Sequence, residues 1–236
     1  MPMIRNLLRN FRSLQSMNKI VIAIDGFSST GKSTLARQLA ETLNYTYVDS
    51  GAMYRAITLY FLDHTIDLAN HTAIEKALEQ ITLGFIDNKI SLNGVIVESL
   101  IRSMAISNLV SEVSALKEVR KFAVAQQQAM GLQKGLVMDG RDIGTTVFPR
   151  AELKIYVYAD EEVRTMRRFD EMKLKSPDIT MDEVAENLKH RDHIDSTREV
   201  SPLKKAKDAL VLDNSLLSMD EQLQMALAWA KERIEK

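Results

Sequence analysis

Cysteine is absent from the 236-residue chain, which excludes disulfides and thiolate metal ligands and leaves a reducing, cytoplasmic location open to it. Long apolar runs are missing too: no stretch reaches the about 18 residues a membrane-spanning helix needs. Proline occurs four times and glycine nine, and no Pro/Gly/Ser-rich linker, repeat or low-complexity tract divides the chain into independent domains. An excess of charge is the last absence. Lys and Arg number 31 against 32 Asp and Glu, a net charge of -1. No global field draws the chain to nucleic acid or anionic lipid, so any anion site must come from local clustering of Arg and Lys.

What is present is an ordinary globular composition, 45% hydrophobic and 27% charged, enough for one sizeable core. Residues 1–18 carry Arg5, Arg9 and Arg12 among Leu, Ile and Phe without an acid. That pattern fits an amphipathic transit or surface segment, but it lacks the apolar stretch of a secretory signal. We read it as a dispensable N-terminal extension, with Met17 a possible start, ahead of one domain spanning 19–236.

Along that domain, buried β-branched runs alternate with helical patterns, the signature of βαβ units and a parallel sheet. Strands are predicted at Lys19–Asp25, Tyr45–Asp49, Gly135–Asp139, Leu153–Tyr158 and Ala209–Asp213. Helices are predicted at Lys32–Leu43, Met53–Asp63, Glu161–Lys173, Met181–Ser196 and Met219–Ile234. Ile81–Glu98 breaks the alternation: short apolar pieces with turn signals at Asp87-Asn88 and Asn93-Gly94 read as small antiparallel strands. The expected architecture is a three-layer α/β P-loop fold with a five-stranded parallel sheet. The small antiparallel sheet is an insertion in it.

Three groups of residues carry chemistry. Gly26-Phe27-Ser28-Ser29-Thr30-Gly31-Lys32-Ser33, followed by Thr34, fits the phosphate-loop pattern between a strand and a helix. Its backbone N–H groups form an anion-binding concavity, Lys32 supplies charge for the β- and γ-phosphates of ATP, and the Ser33 hydroxyl is suited to Mg²⁺. The second group ends a predicted strand: Asp139, Gly140, Arg141 and Asp142 fall at the carboxyl edge of the sheet, where ligands bind. There Asp139 is either an acid for Mg²⁺ through water or, with Asp142, a helix cap. The third is Arg191, Asp195 and Arg198, at spacings that share one helix face if the helix continues that far. They make either a phosphate clamp or an exposed ion-pair ladder. Arg164, Arg167 and Arg168 form a basic stripe with the same two readings.

These stretches resemble the bacterial cytidylate kinases of the adenylate-kinase-like P-loop group. The likeness covers Ile24-Asp25-Gly26 into the loop, Asp49-Ser50-Gly51-Ala52-Met53-Tyr54-Arg55, Asp139 to Thr145, and Arg191-Asp192 through Arg198 to Ser201-Pro202-Leu203, in the family's order. The resemblance implies transfer of the γ-phosphate of ATP to CMP or dCMP, with an inserted acceptor-binding subdomain at about 50–130 that holds the small antiparallel sheet, and a helical lid at about 160–200. Arg55 would hold the acceptor phosphate beside Ser50, and Ser111, Arg120 and Asp142 would read cytosine. Asp195 and Arg191 would hold the sugar and neighbouring phosphate, Arg141, Arg191 and Arg198 would surround the transferred group, and Arg167 would contact ATP. It also implies small nucleotides as the only partners, and a monomer. Departures from the family pattern fall at Ser103-Met104-Ala105-Ile106, Gln127-Gln128 and Ile194. Alternatives are another small-acceptor P-loop kinase, such as an adenylate, uridylate or thymidylate kinase, or a nucleotide-binding switch.

A structural condition accompanies these roles. Ser111 and Arg120 would point to opposite sides of one straight helix, so a break is required between Ser114 and Lys117. Deleting Met1 to Ser16 is expected to leave the melting temperature and turnover unchanged; a loss of several degrees, or of most of the activity, would show that the segment packs on the core.

Overall fold

Five strands of a computed structural model, which describes residues 18–86, 89–174 and 176–235, pair in parallel to form the central sheet. The proposed extension lies, Asn18 apart, outside the described residues. The chain runs β1 (Val21–Asp25), α1 (Lys32–Leu43), β2 (Thr46–Asp49) and α2 (Ser50–Asp63). It leaves the sheet through α3 (His71–Glu79), the strands β3 (Leu83–Ile86), β4 (Lys89–Leu92) and β5 (Val95–Ile96), a 3₁₀ turn at Leu100–Arg102, α4 (Met104–Ala115) and α5 (Lys117–Met130). It returns as β6 (Leu136–Gly140) and ends β7 (Leu153–Tyr158), α6 (Glu161–Lys173), α7 (Met181–Thr197), β8 (Leu210–Asp213) and α8 (Met219–Ile234). Sheet order is β2-β6-β1-β7-β8, with a separate antiparallel sheet β3-β4-β5.

The strands are apolar on both faces because both are covered, as a parallel sheet requires. Ile22, Ile24, Val137, Ile155 and Val157 pack against Leu35 and Leu39 of α1 and Ala226 and Ala230 of α8. Ala23, Met138 and Val48 face the other way, onto Met53, Ile57 and Phe61 of α2 and Val119 of α5. Ile90 of the small sheet joins this second core, so the insertion is packed onto the main body. Helices α6 and α7 instead share a small cluster of their own, Met172, Val184 and Leu188.

Register places the chemistry. Asp25 lies level with Gly140 and Asp49 level with Asp139, so β1, β2 and β6 end together at one edge of the sheet. That edge is the crevice where open α/β sheets bind ligands.

Two boundaries differ informatively from the sequence reading. Helix α2 starts at Ser50, ahead of the predicted Met53, because the Asp49 side chain accepts the Ala52 N–H and caps it. Helix α7 stops at Thr197, so Arg198 follows the helix in extended backbone. Within 64–134 the sequence reading set no helix bounds, only a broken helix through Ser111 and Arg120; α3, α4 and α5 lie there. The break required between Ser114 and Lys117 is present: Leu116 has φ -64 and ψ 130 and separates α4 from α5. Asn93 and Gly94 both have positive φ, the mirror-image turn expected of an Asn-Gly hairpin. The other predicted turn, Asp87-Asn88, lies outside the described residues.

Ile22 is fully buried in the central strand. Ile22→Ala should cost about 2 to 5 kcal/mol in urea unfolding of the whole chain, and a loss well below that range would mean β1 is not where the two layers meet.

Candidate active site

The phosphate loop leaves β1 and enters α1 through two left-handed residues, Ser29 (φ 60) and Gly31 (φ 86). A side chain at Gly31 would put its Cβ 2.4 Å from the Asn214 amide nitrogen, which donates to the Thr30 carbonyl at 2.7 Å. Gly31 is thus required both by conformation and by close approach. Thr30 Oγ1 and Lys32 Nζ both donate to the Phe27 carbonyl, at 3.1 and 3.0 Å.

In front of the loop lies a cleft of about 780 Å³. Ser28, Ser29, Gly31, Lys32, Ser33 and Thr34 line one side, and Ser50, Arg55, Ser111 and Arg120 another. Asp139, Arg141, Asp142, Arg191, Asp195 and Arg198 close it. Gly26, Phe27 and Thr30 form the back of the loop and do not face the cleft. Arg167 is also outside the lining; its guanidinium donates to the Asn214 carbonyl at 2.8 Å. The basic stripe therefore divides three ways. Arg164 is buried over the Phe27 ring, with its Cζ 5.4 Å from the centroid, and pairs with Asp192 at 2.5 Å. Arg168 reaches the cleft.

Nine Lys or Arg side chains and five carboxylates line this space, a strong local excess in a chain of net charge -1. Asp195 pairs with Arg141 at 2.7 Å and Arg198 at 3.5 Å. Burial opposes its charge, but these two cations outweigh burial and hold its carboxyl below the ordinary range. Arg191 makes no ion pair among the described residues, and its Nε is buried without a hydrogen-bond partner. Burial, then the neighbouring Arg141, pushes its pKa down to about 10. Burial and Arg141 likewise lower Lys32 to about 7. Such a cluster is poised for an anion.

Asp139 Oδ2 accepts from Ser33 Oγ at 2.7 Å and Oδ1 from the Tyr47 hydroxyl at 2.9 Å. Burial, then the Asp49 carboxylate on the adjacent strand, raises its pKa. Asp49 is partly buried, which opposes its charge, yet Arg55 at 2.8 Å and Arg102 at 3.4 Å keep it below the ordinary carboxylate value. Ser50 Oγ donates to the Asp139 carbonyl at 2.6 Å.

Deeper in the cleft, Arg120, 2% exposed, pairs with Asp142, and its Nη1 donates to the Ser114 carbonyl at 3.2 Å. Arg198 reaches the other Asp142 oxygen at 3.4 Å. The break at Leu116 lets Ser111 of α4 and Arg120 of α5 face this one pocket. Asp25 holds the turn beyond it, accepting the Ile143 and Gly144 N–H groups at 2.7 and 2.8 Å. Sequence reasoning gave no role to Asp25, Tyr47, Asp49 or Arg102. An acid ending a buried strand was the available signal for Asp25 and Asp49; nothing in spacing pointed to Tyr47 or Arg102.

Of the departures, Ser103 caps α4 through the Ile106 N–H at 3.4 Å, and Gln128 donates to the Thr146 and Val147 carbonyls at 3.4 and 3.3 Å. Both support the backbone around the cleft.

The family described as cytidylate kinase matches residues 22–232 by its sequence profile. The cytidylate kinase of Bacteroides thetaiotaomicron is 53% identical, covering 93% of this chain and 98% of its own. That of Flavobacterium psychrophilum is 54% identical over 89% and 97%. This chain belongs to the cytidylate kinase family. Solved structures extend the fold more widely. Shikimate kinase from Acinetobacter baumannii superposes with a TM-score of 0.50 at 13% identity, covering 93% of this chain and 97% of that one. An uncharacterized Eubacterium ventriosum protein gives 0.52 at 11% identity, covering 90% and 99%. At these identities the likeness concerns the fold alone.

A pH effect follows from the Lys32 ammonium. In the ligand-free protein it loses its proton at about pH 7, against an ordinary 10.5. An arriving polyphosphate favours the charged form and raises that value, so between these limits binding takes up a proton. Calorimetry of ATP binding at pH 8 in buffers of different ionisation enthalpy should show net proton uptake approaching one. Uptake should vanish in Lys32→Met; equal uptake in both proteins would assign the proton elsewhere.

Proposed function

We propose that the chain transfers the γ-phosphate of ATP to the phosphate of CMP or dCMP, giving ADP and CDP or dCDP. The observation that carries this reading is the unpaired Arg191 guanidinium among Lys32, Arg141 and Arg168, between the phosphate loop and the Arg120–Asp142 pocket. One buried anion site lies between two nucleotide-sized regions, which is the arrangement an in-line transfer needs.

On this reading the phosphate loop, with Lys32, cradles the donor polyphosphate and Arg55 holds the acceptor phosphate. Arg141, Arg191 and Arg198 offset the charge spread over the transferred group. The acceptor oxygen is already ionised, so no strong base is required. Ser33 and Asp139 suit Mg²⁺, since both present hard oxygen atoms and their 2.7 Å contact puts them at one point beside the loop. When bound there, Mg²⁺ would offset part of the negative charge of the donor polyphosphate, with Ser33 and Asp139 holding it.

Asp142 is suited to accept from the cytosine N4 amino group, with Arg120 donating to N3 or O2 and Ser111 beside them. Asp195 and Arg191 would hold the sugar and the adjoining phosphate. Helices α6 and α7, with their separate core, would serve as the lid. In this conformation Asn187 donates to Asn108 at 3.2 Å, and His190 meets Glu112 at 2.9 Å, from α7 to α4. Closure of this kind excludes water from the γ-phosphate. We further propose a cytoplasmic monomer acting on small nucleotides, without nucleic-acid or membrane partners; no helix among the described residues is long and apolar enough to cross a membrane.

Uracil offers O4 where cytosine has its amino group, setting acceptor against carboxylate, so CMP should exceed UMP by on the order of 10² in kcat/KM. Asp142→Ala should reduce CMP turnover far more than UMP turnover, whereas Arg55→Ala, acting on a phosphate common to both, should lower the two together. Equal losses for CMP and UMP in Asp142→Ala, in a coupled assay of ADP formation, would remove the cytosine assignment.

A further inference from the structure

We infer that Tyr47 is a positioning residue for the metal-nucleotide site: its hydroxyl pins the Asp139 carboxylate so that the opposite oxygen faces Ser33 and the Mg²⁺ held there. The inference rests on the assignment of Mg²⁺ and ATP to this loop.

The geometry begins with strand register. In the parallel pair β2 and β6, Tyr47 lies level with Val137 and Asp49 with Asp139. Alternate residues of a strand share a face, so Tyr47, Asp49, Val137 and Asp139 all project toward α1. Two residues advance a strand by about 6.6 Å, close to the length of a tyrosine side chain, so a tyrosine at 47 delivers its hydroxyl to position 139. The result is a donor 2.9 Å from Oδ1 while Oδ2 accepts from Ser33 at 2.7 Å. Held at both oxygens, the carboxylate cannot rotate about its terminal bond. Without the Tyr47 donor, one oxygen of a side chain only 2% exposed would lose its partner next to the Asp49 carboxylate on the adjacent strand.

The tyrosine is itself braced. The Arg37 guanidinium carbon lies 5.5 Å from the Tyr47 ring centroid, and Arg37 follows Ser33 by four residues on the same face of α1. One helix thus carries both Ser33 and the cation that steadies the ring holding Asp139. Tyr47 acts through Asp139, by orientation.

Tyr47→Phe removes the hydroxyl and keeps the ring, so core packing is preserved and a purely structural role predicts no dependence on metal. ATP affinity measured calorimetrically should fall about tenfold, or about 1.4 kcal/mol, with Mg²⁺ present. In EDTA it should not change. The Mg²⁺ concentration giving half-maximal turnover should rise by a similar factor, with kcat at saturating Mg²⁺ largely retained. In an Asp139→Asn background, Tyr47→Phe should have no further effect on the Mg²⁺-dependent part of ATP affinity. Equal weakening with and without Mg²⁺, no weakening at all, or an undiminished effect in the Asp139→Asn background would overturn the role of Tyr47. A wild-type protein whose ATP affinity ignores Mg²⁺ would instead overturn the metal assignment itself.

Discussion

A buried space lined by nine cationic side chains is stable only if carboxylates are interleaved among them, and this electrostatic compromise governs the rest of the structure. Four of the five acids pair with defined charges: Asp49 with Arg55 and Arg102, Asp195 with Arg141 and Arg198, Asp142 with Arg120 and Arg198, and Glu171 with Arg168, while Asp139 is held by Ser33 and Tyr47. Among the described residues Arg191 makes no ion pair, as is also true of Lys32 and Arg37, and all three line the cleft with the phosphate loop. On the proposed function, this leaves cations available to the transferred phosphoryl group.

That compromise needs the strand ends to be level. Because Asp49 and Asp139 lie level on adjacent parallel strands, their carboxylates reach the cleft together, while Asp25, one residue further along β1, holds the turn at Ile143 and Gly144. The apolar strands and the acids that close them fix the register, since sliding a strand along its neighbours would draw its terminal carboxylate into the apolar layers. Helices α6 and α7 are bound to this body mainly by polar contacts and keep their own small core. Rigid positioning at the sheet edge and a separately packed helical pair are complementary requirements for holding two nucleotides and then releasing them.

Local chemistry made much of this legible. The Gly-rich loop between a β-branched run and an amphipathic helix could be placed to the residue, because backbone approach and the left-handed turn at Gly31 constrain sequence directly. The acid at the end of β6 could be read because a carboxylate closing an apolar strand is costly unless it is used. The start of α2 was misplaced because its cap is the side chain of Asp49, which also pairs with Arg55 and Arg102. The three similar arginines on α6 could not be told apart: their spacing is that of one helix face, while their partners Asp192, Asn214 and Ser107 lie far away in sequence.

By itself the sequence determined the α/β class, the phosphate loop, the antiparallel insertion and the need for a break between Ser114 and Lys117, all of which follow from short-range periodicity and backbone sterics. Tertiary structure alone decided which charges neutralise one another, which arginines stay unpaired, and that a tyrosine on β2 would hold an acid on β6. These are contacts between strands and helices up to about a hundred residues apart, such as the 106 separating Ser33 from Asp139. Their energies depend on burial and exact distance, and neither quantity is encoded in the spacing of residues along the chain.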